Sequence, residues 1–156
     1  MRLLRYFLVL AVLGLFVTAC DLFERRNRSY QGNPKLEFQP LTRTVDEPVN
    51  GDTTVTVNIN LIGPQQSSSV PVSFAADDSS SAQSGTHFTL PSSSASIPAN
   101  SSTTEVDITV KNNDQDDGNS NYVLFLSLQD TNQGDNITPA TNLRTHTLTI
   151  RGLNEN

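Results

Sequence analysis

The sequence predicts an all-β fold, an antiparallel two-sheet sandwich, following an N-terminal signal peptide. Three observations predict it. From Lys35 onward apolar and polar residues alternate at a period of two in segment after segment. Clusters of Gly, Pro, Asn, Asp and Ser separate those segments. Beyond the first apolar run no segment carries an apolar stripe at helical spacing.

The elements follow in order. Thr53 to Ile62 puts Val55, Val57, Ile59 and Leu61 on one face and Thr54, Thr56, Asn58 and Asn60 on the other. Gly63 and Pro64 break it. Val70, Val72 and Phe74 resume the inward face. Pro71 has no N–H for a ladder, so this strand is expected at an edge or interrupted. After a polar loop, Thr86 to Leu90 and Ser94 to Ile97 are short extended pieces. Thr104, Val106, Ile108 and Val110 share one side of the next strand. Tyr122 to Gln129 is the most apolar strand. Tyr122, Leu124, Leu126 and Leu128 share a face, and Val123 and Phe125 occupy the other, which predicts a central position. The stretch from Asp130 to Asn142 reads as a connection, and Leu148 and Ile150 face inward in the last strand. Seven or so half-buried strands hide their apolar faces most simply as two stacked sheets, an immunoglobulin-like sandwich. The chain lacks Trp and has one Cys, so the antibody-type core signature is absent.

Composition narrows function. The formal net charge is −6, and it becomes −8 once a signal carrying Arg2 and Arg5 is removed. An acidic domain with scattered Lys and Arg does not suit nucleic acid. The basic cluster Arg25, Arg26 and Arg28 reads either as attraction to an anionic lipid surface or as a solvated tether.

The N-terminus gives an address. Arg2 and Arg5 precede an uncharged run, Tyr6 to Ala19, shorter than the roughly 20 apolar residues a spanning helix needs. A basic head, a short apolar core and small residues at its end describe a secretory signal. The closing Val-Thr-Ala-Cys, Val17 to Cys20, resembles the lipobox of bacterial lipoproteins. That resemblance implies S-diacylglycerol and N-acyl groups (palmitate among them) on Cys20 and cleavage just before it. Several acyl chains anchor a protein stably where one does not. The expected organisation is signal peptide 1–19, flexible tether 20–34, sandwich 35–153 and tail 154–156. The expected location is the bacterial cell envelope, lipid-anchored, with the outer membrane favoured over the inner.

From Leu36 to Gly152 the order of features resembles a Calx-beta domain, as found also in uncharacterised bacterial lipoproteins. The matching stretches run from Thr44 to Ile59, Val70 to Leu90, Ala95 to Asp114 and Tyr122 to Asp130. The resemblance implies a sandwich whose tip binds Ca²⁺ through carboxylates. Here His87 stands where the family pattern has Asp, and the terminal acidic run is missing. The weak Ca²⁺ candidates are Glu47, Asp114, Asp116 and Asp117. Ca²⁺ takes 6–8 oxygens, so no metal site is favoured, and binding no tighter than millimolar is expected.

Catalytic patterns are missing. His87 and His146 fall in no HExxH motif, and the serines form no GxSxG elbow. The reading is therefore a non-enzymatic, lipid-anchored envelope protein presenting a binding or structural surface to an envelope protein or glycan, without a cofactor beyond the lipid. The alternative is a calcium-modulated adhesion module, with a small hydrolase third. A His converging with Ser and an acid would mark the hydrolase. Glu47 and the 114–117 run at one end of the sandwich would mark the calcium module.

Overall fold

A computed structural model of the chain describes residues 30, 32–113, 120–130 and 136–152. Its strands are β1 (Lys35–Gln39), β2 (Thr42–Asp46), β3 (Thr53–Ile62), β4 (Val70–Ala76), β5 (Phe88–Thr89), β6 (Ser94–Ile97), β7 (Thr103–Val110), β8 (Asn121–Leu128), β9 (Thr138–Pro139) and β10 (Thr145–Arg151). They form two five-stranded sheets, ordered β5-β7-β3-β1-β9 and β2-β10-β8-β4-β6.

The alternation in the sequence becomes the core. Val55, Val57, Ile59 and Leu61 of β3 are buried, as are Val106, Ile108 and Val110 of β7. From the second sheet come Val72 and Phe74, then Leu124, Leu126 and Leu128, and Leu148 and Ile150. Fully burying each such side chain stabilises the fold by roughly 1.5–3 kcal/mol. β8 lies inside its sheet between β10 and β4, as its apolar character predicts. Its outward Val123 and Phe125 are half-buried.

β4 is one unbroken strand inside its sheet, not the edge or interrupted strand that Pro71 predicts, but its partners change along its length. Its first half pairs β6 through Val70↔Ile97 to Ser73↔Ser94, and its second half pairs β8 through Phe74↔Leu128 to Ala76↔Leu126. Ser73 accepts from Gln129 N–H, so Ser73 and Pro71 both turn towards the β8 side. The missing donor of Pro71 thus falls where β8 has already ended.

The sheets are mixed, which corrects the expectation of purely antiparallel pairing. β1 runs parallel to β9, and β2 runs parallel to β10. Alternation fixes which face a residue takes, not the direction of the neighbouring strand. Pro40 and Leu41 carry the chain out of one sheet and into the other, so β2 meets the last strand instead of returning along β1. β9 falls within the stretch read as a connection. Two residues are too few to show alternation, yet Ile137 beside them is buried.

The polar loop after β4 completes the edge of β8 with side chains. Asp77 and Ala82 N–H groups donate to Phe125 and Val123 carbonyls. The Ser80 and Ser81 hydroxyls accept from Phe125 N–H (3.0 Å) and Val123 N–H (2.8 Å). Asp77 shapes the loop by accepting from Ser79 hydroxyl (2.6 Å) and N–H (2.9 Å), which holds its carboxyl below the usual value of 3.8.

Candidate functional site

One end of the sandwich gathers the segments that follow β2, β7 and β10. Glu47 N–H donates to Arg151 carbonyl (2.8 Å), and Gly152 N–H donates to Ser120 carbonyl (3.0 Å). Lys111 N–H donates to His87 carbonyl (3.0 Å), which adds the segment before β5. Between β2 and β3 the chain turns through Gly51, whose φ of 67° lies in the left-handed region that favours glycine.

Among the described residues Glu47 is the buried carboxylate of this end, with 8% of its surface exposed. Its Oε1 accepts from Asn113 N–H at 2.6 Å. A carboxylate taken this far out of water needs such a donor. Asn113 immediately precedes the acidic 114–117 run in the sequence.

Among the described residues two further carboxylates here, Asp52 and Asp46, are answered by the protein's own donors. Asp52 accepts from Lys111 Nζ (2.6 Å) and from Asn112 N–H (3.2 Å). The Lys111 hydrogen bond, then the Asn112 amide, hold the Asp52 carboxyl below its usual value of 3.8. Asn112 Nδ2 donates in turn to Val49 carbonyl at 3.1 Å, tying the two loops together. Asp46 pairs with Arg151 at 2.7 Å, both largely in solvent.

The histidines are placed structurally. His87 is buried, its Nδ1 accepts from Gln83 N–H (2.8 Å), and its ring stacks on Tyr122 with centroids 3.7 Å apart. It closes the turn before Phe88, as the sequence predicts. His146 is fully buried on β10, with Nδ1 2.6 Å from Pro40 carbonyl and its ring 6.0 Å from Phe38. It faces Leu126, whereas His87 lies over Tyr122; four positions along β8 are about 13 Å at the usual rise. Neither ring has a Ser or carboxylate partner among the described residues.

Among the described residues no group of three or more His, Cys, Asp or Glu could hold a metal ion. Of the predicted site residues, Cys20, Asp114, Asp116 and Asp117 lie outside the described residues, as do the signal peptide and the 154–156 tail. The sequence reading missed Asp46, Asp52, Lys111 and Arg151. The Asn50-Gly51-Asp52 turn marks a loop there, but the cations that answer the acids come from just past β7 and from β10, far away in the chain.

A family model described as the Calx-beta domain matches residues 31–151. Among solved structures, the apo form of the Calx CBD1 domain is similar at 20% identity with a TM-score of 0.62, covering 77% of this chain and 97% of that one. The calcium binding domain CBD12 of CALX1.1 is similar at 22% identity with a TM-score of 0.57, covering 74% of this chain and 43% of that one. A two-domain protein of unknown function from Bacteroides fragilis is similar at 11% identity with a TM-score of 0.60, covering 76% and 45%. At these identities the likeness establishes the fold. No curated protein matches the chain.

Proposed function

The chain belongs to the Calx-beta family, and from that premise we propose that it is a non-catalytic binding module whose Glu47 end responds weakly to calcium. The observation that carries the reading is the bond from Asn113 N–H to Glu47 Oε1, which ties the buried carboxylate to the residue that precedes the acidic 114–117 run in the sequence. One similar structure is itself called a calcium binding domain. This favours the calcium-modulated adhesion module over a purely structural surface.

The residues fit the ion in part. Glu47 would hold it, with Asp114, Asp116 and Asp117 as the remaining charged ligands. Asp52 is engaged by Lys111, and Asp46 by Arg151, so neither carboxylate is at the ion's disposal. A bound ion would add charge that draws loop oxygens together. A set of few charged ligands belongs to the weak, millimolar range of extracellular modules. A ligand near its dissociation constant stabilises a fold by only about 0.4 kcal/mol, against about 2.7 kcal/mol at a hundredfold excess. Adding 1 mM CaCl₂ in place of EDTA is therefore expected to raise the melting temperature by about 1–2 degrees at most. The rise should continue at higher CaCl₂ and vanish in Glu47→Gln. A flat response up to tens of millimolar would remove calcium from the reading.

The module is carried, in this proposal, by lipid on Cys20 in the bacterial envelope, with residues 20–34 as the tether of the 35–153 sandwich. The order of basic head, apolar core and Val17–Cys20 box supports it. Cys20→Ala is expected to abolish lipid labelling and release the protein from the membrane fraction. Sucrose-gradient banding of the native protein with the outer membrane is expected. Retained labelling, or banding with the inner membrane, would refute the anchor or the location respectively.

A further inference from the structure

Away from the Glu47 end, the side seam where β6 of one sheet passes β7 of the other holds an open edge. β5 pairs with β7 only at Phe88↔Val110 and Thr89↔Thr109. Leu61 N–H donates to Ser102 carbonyl on the β3 side, and Lys111 N–H donates to His87 carbonyl on the β5 side. Even-numbered residues of β7 therefore bond β3, and odd-numbered ones face the β5 side. The next odd residue after Thr109 is Asp107, and the residue that would oppose it is Pro91, which has no N–H to give. The ladder stops there. Among the described residues the ladder with β5 reaches no further than Thr109, and Asp107 and Glu105 make no backbone bond outside the ladders. A cavity of about 210 Å³ opens at this point, floored by buried Phe74 and Val106 and walled by Ala95 and Pro91.

We propose that this edge is a docking site for an extended segment of a partner polypeptide with the pattern basic–apolar–basic, which continues the line of β5 as an antiparallel strand on β7. The alternation of a strand fixes the pattern. Side chains opposite Asp107 and Glu105 lie on the outer face beside two exposed carboxylates. Glu105 makes no hydrogen bond or ion pair among the described residues, and Asp107 accepts only from the Thr56 hydroxyl at 2.7 Å. The side chain between them turns inward onto Phe74 and Val106, where the cavity suits one aliphatic group of the size of Val or Leu. The same carboxylates repel a second copy of this acidic chain, so they guard the edge against self-pairing while admitting a cationic partner. The proposal stands whether or not the Glu47 end takes calcium.

The test uses the full chain and a labelled peptide, Ser-Lys-Val-Lys-Ser. Saturable binding is expected, with the amides of Glu105 and Asp107 protected from hydrogen exchange in its presence. Glu105→Lys with Asp107→Lys should weaken binding by about tenfold or more. The melting temperature of this surface variant reports that it remains folded. A Ser-Glu-Val-Glu-Ser peptide should not bind. A peptide methylated at both lysine backbone nitrogens keeps its charge but loses its ladder donors, and it too should fail. Equal binding by the methylated peptide, an unchanged affinity in the folded double variant, or no protection at Glu105 and Asp107 would each overturn the proposal.

Discussion

Leu126→Ala is expected to cost roughly 2–5 kcal/mol in urea unfolding, while Ser127→Ala, one residue away, should stay within about 1 kcal/mol. The contrast tests the assignment of faces on β8. Leu126 is completely buried on the inward face, opposite His146 across the ladder and Ala76 on the other side. Truncating it removes transfer energy and leaves a void that close-packed neighbours fill only in part. Ser127 points outward and shares one hydroxyl contact of 3.1 Å with Thr145. Its loss leaves the half-buried Thr145 hydroxyl within reach of water. Leu124 sits two positions along on the same face, and Leu124→Ala should match Leu126→Ala in scale. Equal, small effects at Leu126 and Ser127 would mean that the inward face is wrong.

The faces of the strands were legible because alternation records burial directly. Val55 to Leu61, Val106 to Val110 and Leu124 to Leu128 all lie where their spacing puts them. Strand partners were less legible. Nothing in Thr42–Asp46 says that its neighbour is the last strand or that the two run parallel, because that pairing is set by the switch at Pro40–Leu41 and by residues a hundred positions away. Pro71 could be read only in part: β4 is unbroken and lies inside its sheet, and the missing N–H is accommodated because it falls beyond the end of β8. Ser80 and Ser81 could not, since a serine that completes a ladder has the same local sequence as one in a solvated loop.

The candidate site shows the same division. Glu47 was singled out by its place in a resemblance; its burial, which nothing in its local sequence encodes, came from the structure. The engagement of Asp52 by Lys111 depends on contact between segments 59 residues apart, which spacing along the chain does not encode. His146 was readable as a strand residue, but its full burial was not, because Thr145, Thr147 and Thr149 around it suggest a solvated strand.

That burial makes stability depend on pH, and the loss is expected on the acid side of neutrality. Pro40 carbonyl can only accept, so His146 Nδ1 carries the proton and donates it, leaving Nε2 bare. Nε2 is buried and has no hydrogen-bond partner among the described residues. Protonating it would place a charge and an unanswered N–H against Phe38 and Leu126. Burial is the main reason its pKa falls below the ordinary 6.5. The bond to Pro40 opposes that shift, and the Arg43 charge on β2 adds to it. In the unfolded chain His146 takes up its proton near the ordinary value, while the fold resists until the pH is lower. Stability should therefore be unaffected above about pH 7 and decline as the pH falls through 6.5, at no more than about 1.4 kcal/mol per pH unit for one proton. Asp52 and Asp77, whose carboxyls are held below 3.8, lose their contributions only in stronger acid, so the window just below pH 6.5 is not theirs. Urea unfolding across that window should show the decline in the native chain and its removal in His146→Leu, which keeps the apolar contacts but has no site for the proton. An equal decline in both proteins would show that the fold does not resist the protonation of His146.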